Sequence, residues 1–291
     1  MSLTAQQIAH FETFGYVVLR QLFSPEEMAA MSREFDASIK EDLQDQAFAG
    51  EKRLSVSPFI EKCPELWPFV EDDRIFEPMK QLLGPDFNWR GSGANLYVGN
   101  TEWHRDAADL ELNFTRIKAV FNLDPVGRDS GCLRVIPGSH REPFHSRLRP
   151  LNYWRKVQVA GEGRIPQSDV DDFAREFNIT EEEPLFGVEP SEVPAVALES
   201  QPGDVVFFNQ YLYHASFGGR TGRRMFTMNF TVNPTTDEQI ALLRKHIEIG
   251  IKGRKVMQHR AVSGLFDEAF LHSDRPRIQK MVSRLVELGI E

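Results

Sequence analysis

The sequence predicts a mainly β protein with helices packed over one of its sheets, and three observations carry that prediction. Short runs rich in β-branched and aromatic residues recur from Asn95 to Val232, punctuated by Gly and Pro turn signals. Amphipathic helical patterns stand at both ends of this region rather than inside it. The composition, 41% hydrophobic and 26% charged over 291 residues, is that of a folded chain and excludes disorder, collagen and a disulfide scaffold. Such spacing suggests a sandwich, barrel or double-sheet jelly roll. We read residues 1–291 as a single domain.

Each element has its own signal. Thr4 with Gln7 forms a capping box, and Gly15 can end that first helix in left-handed geometry. Tyr16 to Leu19 reads as a strand. Ser24-Pro25-Glu26-Glu27 opens a second helix, with Ser as N-cap and Pro at the first helical position, expected to run to about Lys40. Further strands are expected at Asn95 to Val98, Ile117 to Leu123, Leu133 to Ile136, Val193 to Leu198, Val205 to Phe208 and Met225 to Val232. Gly131, Pro137-Gly138, Pro202-Gly203 and Gly218-Gly219 mark turns between them. Thr236 with Gln239 caps a helix reaching about His246. Asp274 is expected to start a closing helix with Ile278, Met281, Val282 and Leu285 on one face. These last helices make a C-terminal extension over about 235–291.

Charge narrows the partners. A net charge of −9 argues against nucleic acid, whose binding needs a basic surface. No apolar run approaches the roughly 18 residues that span a bilayer, and no secretory leader is legible, so a cytoplasmic protein with no membrane partner is expected. Two cysteines, Cys63 and Cys132, fit a reducing compartment and offer no thiolate metal cage. Between Arg141 and Arg164 six basic residues stand against two acidic ones, whereas residues 165–200 hold ten acidic residues and one basic, Arg175. Two solvated faces are the plain explanation. The segment of about 141–200 is also too long for a turn, so a lid is expected there, with Arg147, Arg149, Arg155 or Lys156 meeting an anionic or polar small-molecule substrate.

The chemistry gathers around three residues. In Trp103-His104-Arg105-Asp106, His and Asp are two residues apart, so on an extended strand both point to one face. His214 follows the apolar run Asp204 to Phe208. Two imidazoles and one carboxylate on a rigid frame can fill one face of an octahedral metal and leave the others open. Nine residues beyond His214, Arg223 opens an alternating strand. Phe226, Met228, Phe230 and Val232 form an apolar face, and Arg223, Met225, Thr227, Asn229 and Thr231 a more polar one. A guanidinium there can grip a carboxylate through two parallel bonds. Arg224 competes with Arg223, and strand parity favours Arg223.

The pattern resembles the phytanoyl-CoA dioxygenase family of Fe(II)- and 2-oxoglutarate-dependent oxygenases. The matching stretches, in family order, are Phe14 to Leu19, Trp103 to Asp106, Ser130 to His140 and Pro202 to Phe208 leading to His214-Ala215-Ser216. The resemblance implies a double-stranded β-helix, a cupin-like jelly roll. It implies Fe(II) on His104, Asp106 and His214, and 2-oxoglutarate and O2 as cosubstrates. It places the cosubstrate carboxylate on Arg223, with Asn95, Thr227 and Ser216 as further contacts. Hydroxylation of an unactivated C–H bond, with release of succinate and CO2, is the implied outcome; desaturation, cyclisation and epoxidation share its chemistry. His140 fits a turn-stabilising role better than metal ligation, and Trp103 suits lining or packing equally. Two other readings stay open: a cupin-type metalloenzyme that needs no 2-oxoglutarate, and a non-catalytic ligand-binding β-barrel.

Overall fold

Two antiparallel sheets face each other in a computed structural model of the chain, which describes residues 1–106, 114–152, 187–245 and 266–290 and the single positions 168, 171, 175 and 247. The chain runs α1 (Ala5–Phe14), β1 (Tyr16–Leu19), α2 (Pro25–Asp42), β2 (Leu54–Val56), α3 (Trp67–Glu71), α4 (Asp73–Leu83), β3 (Asn88–Tyr97) and β4 (Thr101–His104). It continues with β5 (Arg116–Asn122), β6 (Leu133–Val135), α5 (Phe144–Arg147), β7 (Val196–Leu198), β8 (Val205–Asn209), β9 (His214–Ser216) and β10 (Arg223–Thr231). Residues 237–245 are helical, and α6 (Glu268–Leu271) and α7 (Pro276–Glu287) close the chain. The larger sheet has the order β1-β8-β5-β10-β3-β2, the smaller β4-β9-β6-β7. This is the expected mainly β, double-stranded β-helix with flanking helices. The two sheets stay separate rather than closing into one hydrogen-bonded barrel.

The helices cover the larger sheet: α2 packs on β2 and β3, and α7 on β3. The apolar side of β10 makes that contact. Phe226 and Phe121 are register partners on β10 and β5 and stack at 4.4 Å with 9° between their planes. Phe23 and Phe59 meet this pair from the helical side. Burying one such ring stabilises the fold by about 1.5–3 kcal/mol. The opposite side of the sheet looks inward, where Val120, Val206 and Phe208 meet Val135 and Leu198 of the smaller sheet. The jelly-roll interior therefore lies between the sheets, and the odd-numbered face of β10 looks into it.

Local signals set most boundaries. Both capping boxes form, at Thr4/Gln7 and Ser24/Glu27, and Gly15 closes α1 at φ 85°. Asp204 takes the backbone N–H groups of Gln21 and Gln201 and so fixes the turn that enters β8.

Several expected boundaries are corrected. The strand expected from Asn95 begins at Asn88: Gly91 and Gly93, which weaken a strand pattern, sit in a ladder paired to β10, with Gly91 at its bulge. The strand expected from Val193 starts at Val196, because Pro194 has no N–H to give a ladder. The run expected to reach Ile136 ends at Val135, and the one expected to begin at Met225 begins at Arg223. The closing helix is not capped by Asp274. Arg275 holds the N-cap position and Pro276 the first turn, where a missing N–H costs nothing. Its four expected apolar residues are all buried.

Candidate active site

β4 and β9 lie side by side, and their register sets His104 directly opposite His214. The two rings are 4.1 Å apart between centroids. Each is oriented by backbone. His104 Nδ1 lies 2.7 Å from the Glu102 carbonyl and His214 Nδ1 2.8 Å from the Leu212 carbonyl. A carbonyl only accepts, so each Nδ1 carries the proton and each Nε2 keeps its lone pair for a metal. Both Nε2 atoms face Asp106: His104 at 3.9 Å from Oδ1 and His214 at 3.7 Å from Oδ2. One ligand atom from each of the three residues falls within 4.8 Å of the others.

Asp106 reaches this position differently from the expectation. β4 ends at His104, so Asp106 is not on the strand; a bend brings its carboxylate round. Its N–H donates to the Gln210 carbonyl at 3.1 Å, which ties the segment after β4 to the segment before β9. Lys118, from the inward face of β5, approaches Oδ2 at 2.7 Å. Burial pushes the carboxyl pKa up, but Lys118, His214 and His104 outweigh it and hold Asp106 well below the usual carboxylate range. It is a charged carboxylate at neutral pH.

A cavity of about 170 Å³ opens beside these residues, between the sheets. At its edge Arg223 is 3% exposed. Its Nη2 donates to Ser216 Oγ at 3.1 Å, and Ser216 Oγ donates to the Gly131 carbonyl at 2.9 Å. Its Nη1 has no hydrogen-bond partner among the described residues. Gly131 and Gly219 make room for the guanidinium, since a Cβ at either position would overlap Nη1. Burial, with Arg220 and Arg53 nearby, pulls the Arg223 pKa below the ordinary guanidinium value. An unpaired donor on a buried cation, seated in a glycine-lined gap, fits a carboxylate of a small acid. Two imidazole nitrogens and a carboxylate are a donor set suited to Fe(II). Both parts of the site thus fit the groups the sequence implies.

The other sequence-derived residues separate. Arg224 points the opposite way, where it bonds Asp124 at 3.0 Å and Asp36 at 3.1 Å. Despite burial, these carboxylates raise its pKa. Ser216 lines the cavity. Asn95 is buried beside it, but its Oδ1 is occupied by Arg53, which donates from Nη2 at 2.6 Å and from Nε at 3.2 Å. Thr227 is buried on the inward face of β10, between Val120 and Gly93, and lies outside the cavity wall. Trp103 packs rather than lines: it is 1% exposed, donates to the Pro190 carbonyl at 2.7 Å and meets Phe217.

His140 lies away from the metal trio and packs against Gly15. Its neighbour Ser139 accepts the Tyr213 N–H at 2.9 Å and so anchors the turn next to His214. Of the residues expected to meet substrate, Arg147 is exposed and Arg149 half-buried, and neither lines the cavity. Arg155 and Lys156 lie outside the described residues.

Among the cavity residues that the sequence does not single out are Lys118, Arg53 and Tyr97. Lys118 had a usable signal, a lone cation alternating with Val120 and Asn122 inside an otherwise apolar run. Arg53 and Tyr97 had none, because only the β2–β3–β10 pairing brings them to the site.

The profile of the family described as phytanoyl-CoA dioxygenase matches residues 11–226. The chain belongs to the phytanoyl-CoA dioxygenase family. The matched span includes the histidines, Asp106, Arg53 and Arg223. Among curated members of similar sequence, the ectoine dioxygenase of Stutzerimonas stutzeri (strain A1501) is 27% identical over 239 residues, 75% of this chain and 73% of the relative. The ectoine dioxygenase of Bordetella bronchiseptica is 27% identical over 160 residues, 48% of this chain and 51% of the relative.

Solved structures share the fold. AviO1 from Streptomyces viridochromogenes superposes with a TM-score of 0.56 at 16% identity, covering 81% of this chain and 98% of that one. HygX from Streptomyces hygroscopicus, solved with nickel and 2-oxoglutarate, gives 0.54 at 18% identity over 81% and 90%. EctD from S. alaskensis, with bound Fe, gives 0.53 at 20% identity over 79% and 77%. Among the described residues no helix is long and apolar enough to cross a membrane.

Proposed function

We propose that His104, Asp106 and His214 hold the iron of this Fe(II)- and 2-oxoglutarate-dependent dioxygenase. Arg223 grips the distal carboxylate of 2-oxoglutarate, and a small organic substrate is hydroxylated at an unactivated C–H bond. The observation that carries this reading is Arg223. Its buried guanidinium has a free donor and shares one cavity with the two histidines and Asp106. A cupin-type metalloenzyme without 2-oxoglutarate would leave that donor unused. A non-catalytic barrel would need neither the paired imidazoles nor Asp106.

When bound, iron and 2-oxoglutarate supply the activation of O2 that ends in succinate, CO2 and an oxidised substrate. The chain's own residues position and exclude. The Nδ1 bonds of His104 and His214 fix both rings before metal arrives. Asp106, as a carboxylate, supplies the third ligand. Ser216 holds Arg223 at Nη2, and Nη1 lies in the gap that Gly131 and Gly219 leave. Val120, Leu133, Phe208 and Met225 give the cavity an apolar wall that keeps water from the reacting centre.

The relatives named ectoine dioxygenases make a small polar molecule of that kind the first substrate to test. The cysteines, both free and buried, support a reducing, cytoplasmic setting. We further read the two sheets and the C-terminal helices as one domain; of the lid expected over 141–200, residues 153–167 and 176–186 lie outside the described residues, and Val196–Leu198 is a strand of the smaller sheet.

The test is succinate formation from 2-oxoglutarate under air, with iron, across a panel of small zwitterions and acids. A panel member should stimulate succinate release in the native protein and not in His214→Ala. Equal turnover in His214→Ala, or succinate formed without iron, would contradict the assignment.

A further inference from the structure

A second guanidinium stands in the same cavity. Arg53, just before β2, bonds Asn95 Oδ1 through Nη2 and Nε and lies over the Tyr97 ring, 4.2 Å from its centroid. Arg223 lies over the same ring at 5.1 Å. The two guanidinium carbons are therefore no farther apart than those two distances added. The register explains the meeting: Tyr97 is the β3 partner of Arg223, and Asn95, two residues back, is the partner of Met225. β3 thus carries the seat for one arginine and the neighbour of the other.

Neither arginine has a carboxylate partner among the described residues. Arg53 holds Asn95 and Tyr97; Arg223 holds Ser216 and Tyr97. Asp106 is the carboxylate of the cavity wall, and Lys118 engages it. Two like charges set against one half-buried ring repel each other, and an anion between them removes that repulsion. A carboxylate offers about four lone-pair sites, enough for two guanidinia at once.

We propose that Arg53 is a second clamp on the distal carboxylate of 2-oxoglutarate, seated by Asn95 and Tyr97. Asn95 then acts as a positioning residue for Arg53 and does not touch the cosubstrate. The inference rests on reading the cavity as a 2-oxoglutarate site. Its consequence is selectivity: the pair favours 2-oxo dicarboxylates over 2-oxo monocarboxylates of the same length.

Calorimetric titration of the nickel-loaded protein tests it, with 2-oxoglutarate and with 2-oxopentanoate, which has a methyl in place of the distal carboxylate. Arg53→Gln should weaken 2-oxoglutarate binding about ten- to hundredfold and leave 2-oxopentanoate within about twofold. Asn95→Ala should show a smaller loss with the same selectivity, and Arg53→Lys should recover part of it. Nickel affinity should be unchanged in all three, which separates the effect from misfolding. An equal loss for both ligands would make Arg53 structural and overturn the proposal, as would an unchanged 2-oxoglutarate affinity. Arg223→Gln distinguishes the two levels. If it loses 2-oxoglutarate selectively while Arg53→Gln does not, the second clamp alone fails; if neither does, the 2-oxoglutarate reading fails with it.

Discussion

His104 and His214 face each other across the β4–β9 pair, and each donates its Nδ1 proton to the carbonyl two residues before it. The same local bond is made twice, so strand backbone fixes the Nδ1 side of both rings and aims both Nε2 atoms toward Asp106. Such a site is as rigid as the ladder that carries it.

Replacing either histidine should therefore empty the metal site without unfolding the chain. For His104→Ala and His214→Ala we expect iron affinity to fall by more than the roughly 10–100-fold that loss of an outer partner costs. Elemental analysis after anaerobic dialysis reads the occupancy, and a thermal melt reads the fold. Full iron in either variant would remove that residue from the ligand set.

The adjacent arginines should separate cleanly. Leaving a buried charge unpaired costs about 3–5 kcal/mol, a few hundred- to a few thousand-fold in affinity, so Arg223→Gln should weaken 2-oxoglutarate binding by about that factor. Arg224→Gln should leave binding alone and lower stability by about 1–3 kcal/mol, because it breaks the bonds to Asp124 and Asp36. Isothermal titration and denaturant unfolding on both variants report the two quantities.

Gly219→Ala tests the gap itself. The added methyl would overlap Arg223 Nη1 without contacting His104, Asp106 or His214. A displacement of about 1 Å at a binding group can cost on the order of 100-fold, so 2-oxoglutarate affinity should drop markedly at constant iron occupancy. Unchanged affinity would show that the guanidinium has another resting place.

Two histidines outside the metal trio should make stability fall in acid. Burial, helped by Arg141, pulls His140 down to about 4. Burial also lowers His145, whose Nε2 meets the Arg105 guanidinium. In the unfolded chain both titrate near 6.5. The folded state thus holds fewer protons than the unfolded one below that value, and stability is lost as the pH falls from about 6.5 toward 4. For His140 the loss amounts to as much as about 3 kcal/mol. Melting temperature should drop between pH 7 and 5, and His140→Gln should flatten that slope. A slope identical to the native one would exclude His140 as its source.

What was legible in the sequence follows from how local each cause is. Capping boxes, the alternation of β10 and the parity that separates Arg223 from Arg224 are written within a few residues. The part of β3 before Asn95 carries Gly91 and Gly93, which weaken a strand pattern, and pairing with β10 is what holds it in the ladder. The helix Asp73–Leu83 was missed because Pro78 stands inside it and reads as a break. The resemblance points to Asn95 as a cosubstrate contact but carries no sign that its Oδ1 accepts from Arg53, more than forty residues away. Such pairings live in the register between distant strands, and no local pattern carries them.

A crystal structure of the protein with nickel and 2-oxoglutarate tests the central claim most directly. The expected result is nickel on His104 Nε2, His214 Nε2 and an Asp106 oxygen, with the distal carboxylate of 2-oxoglutarate on Arg223 Nη1. Metal bound elsewhere, ligation through Nδ1, or a 2-oxoglutarate whose distal carboxylate avoids Arg223 would contradict it.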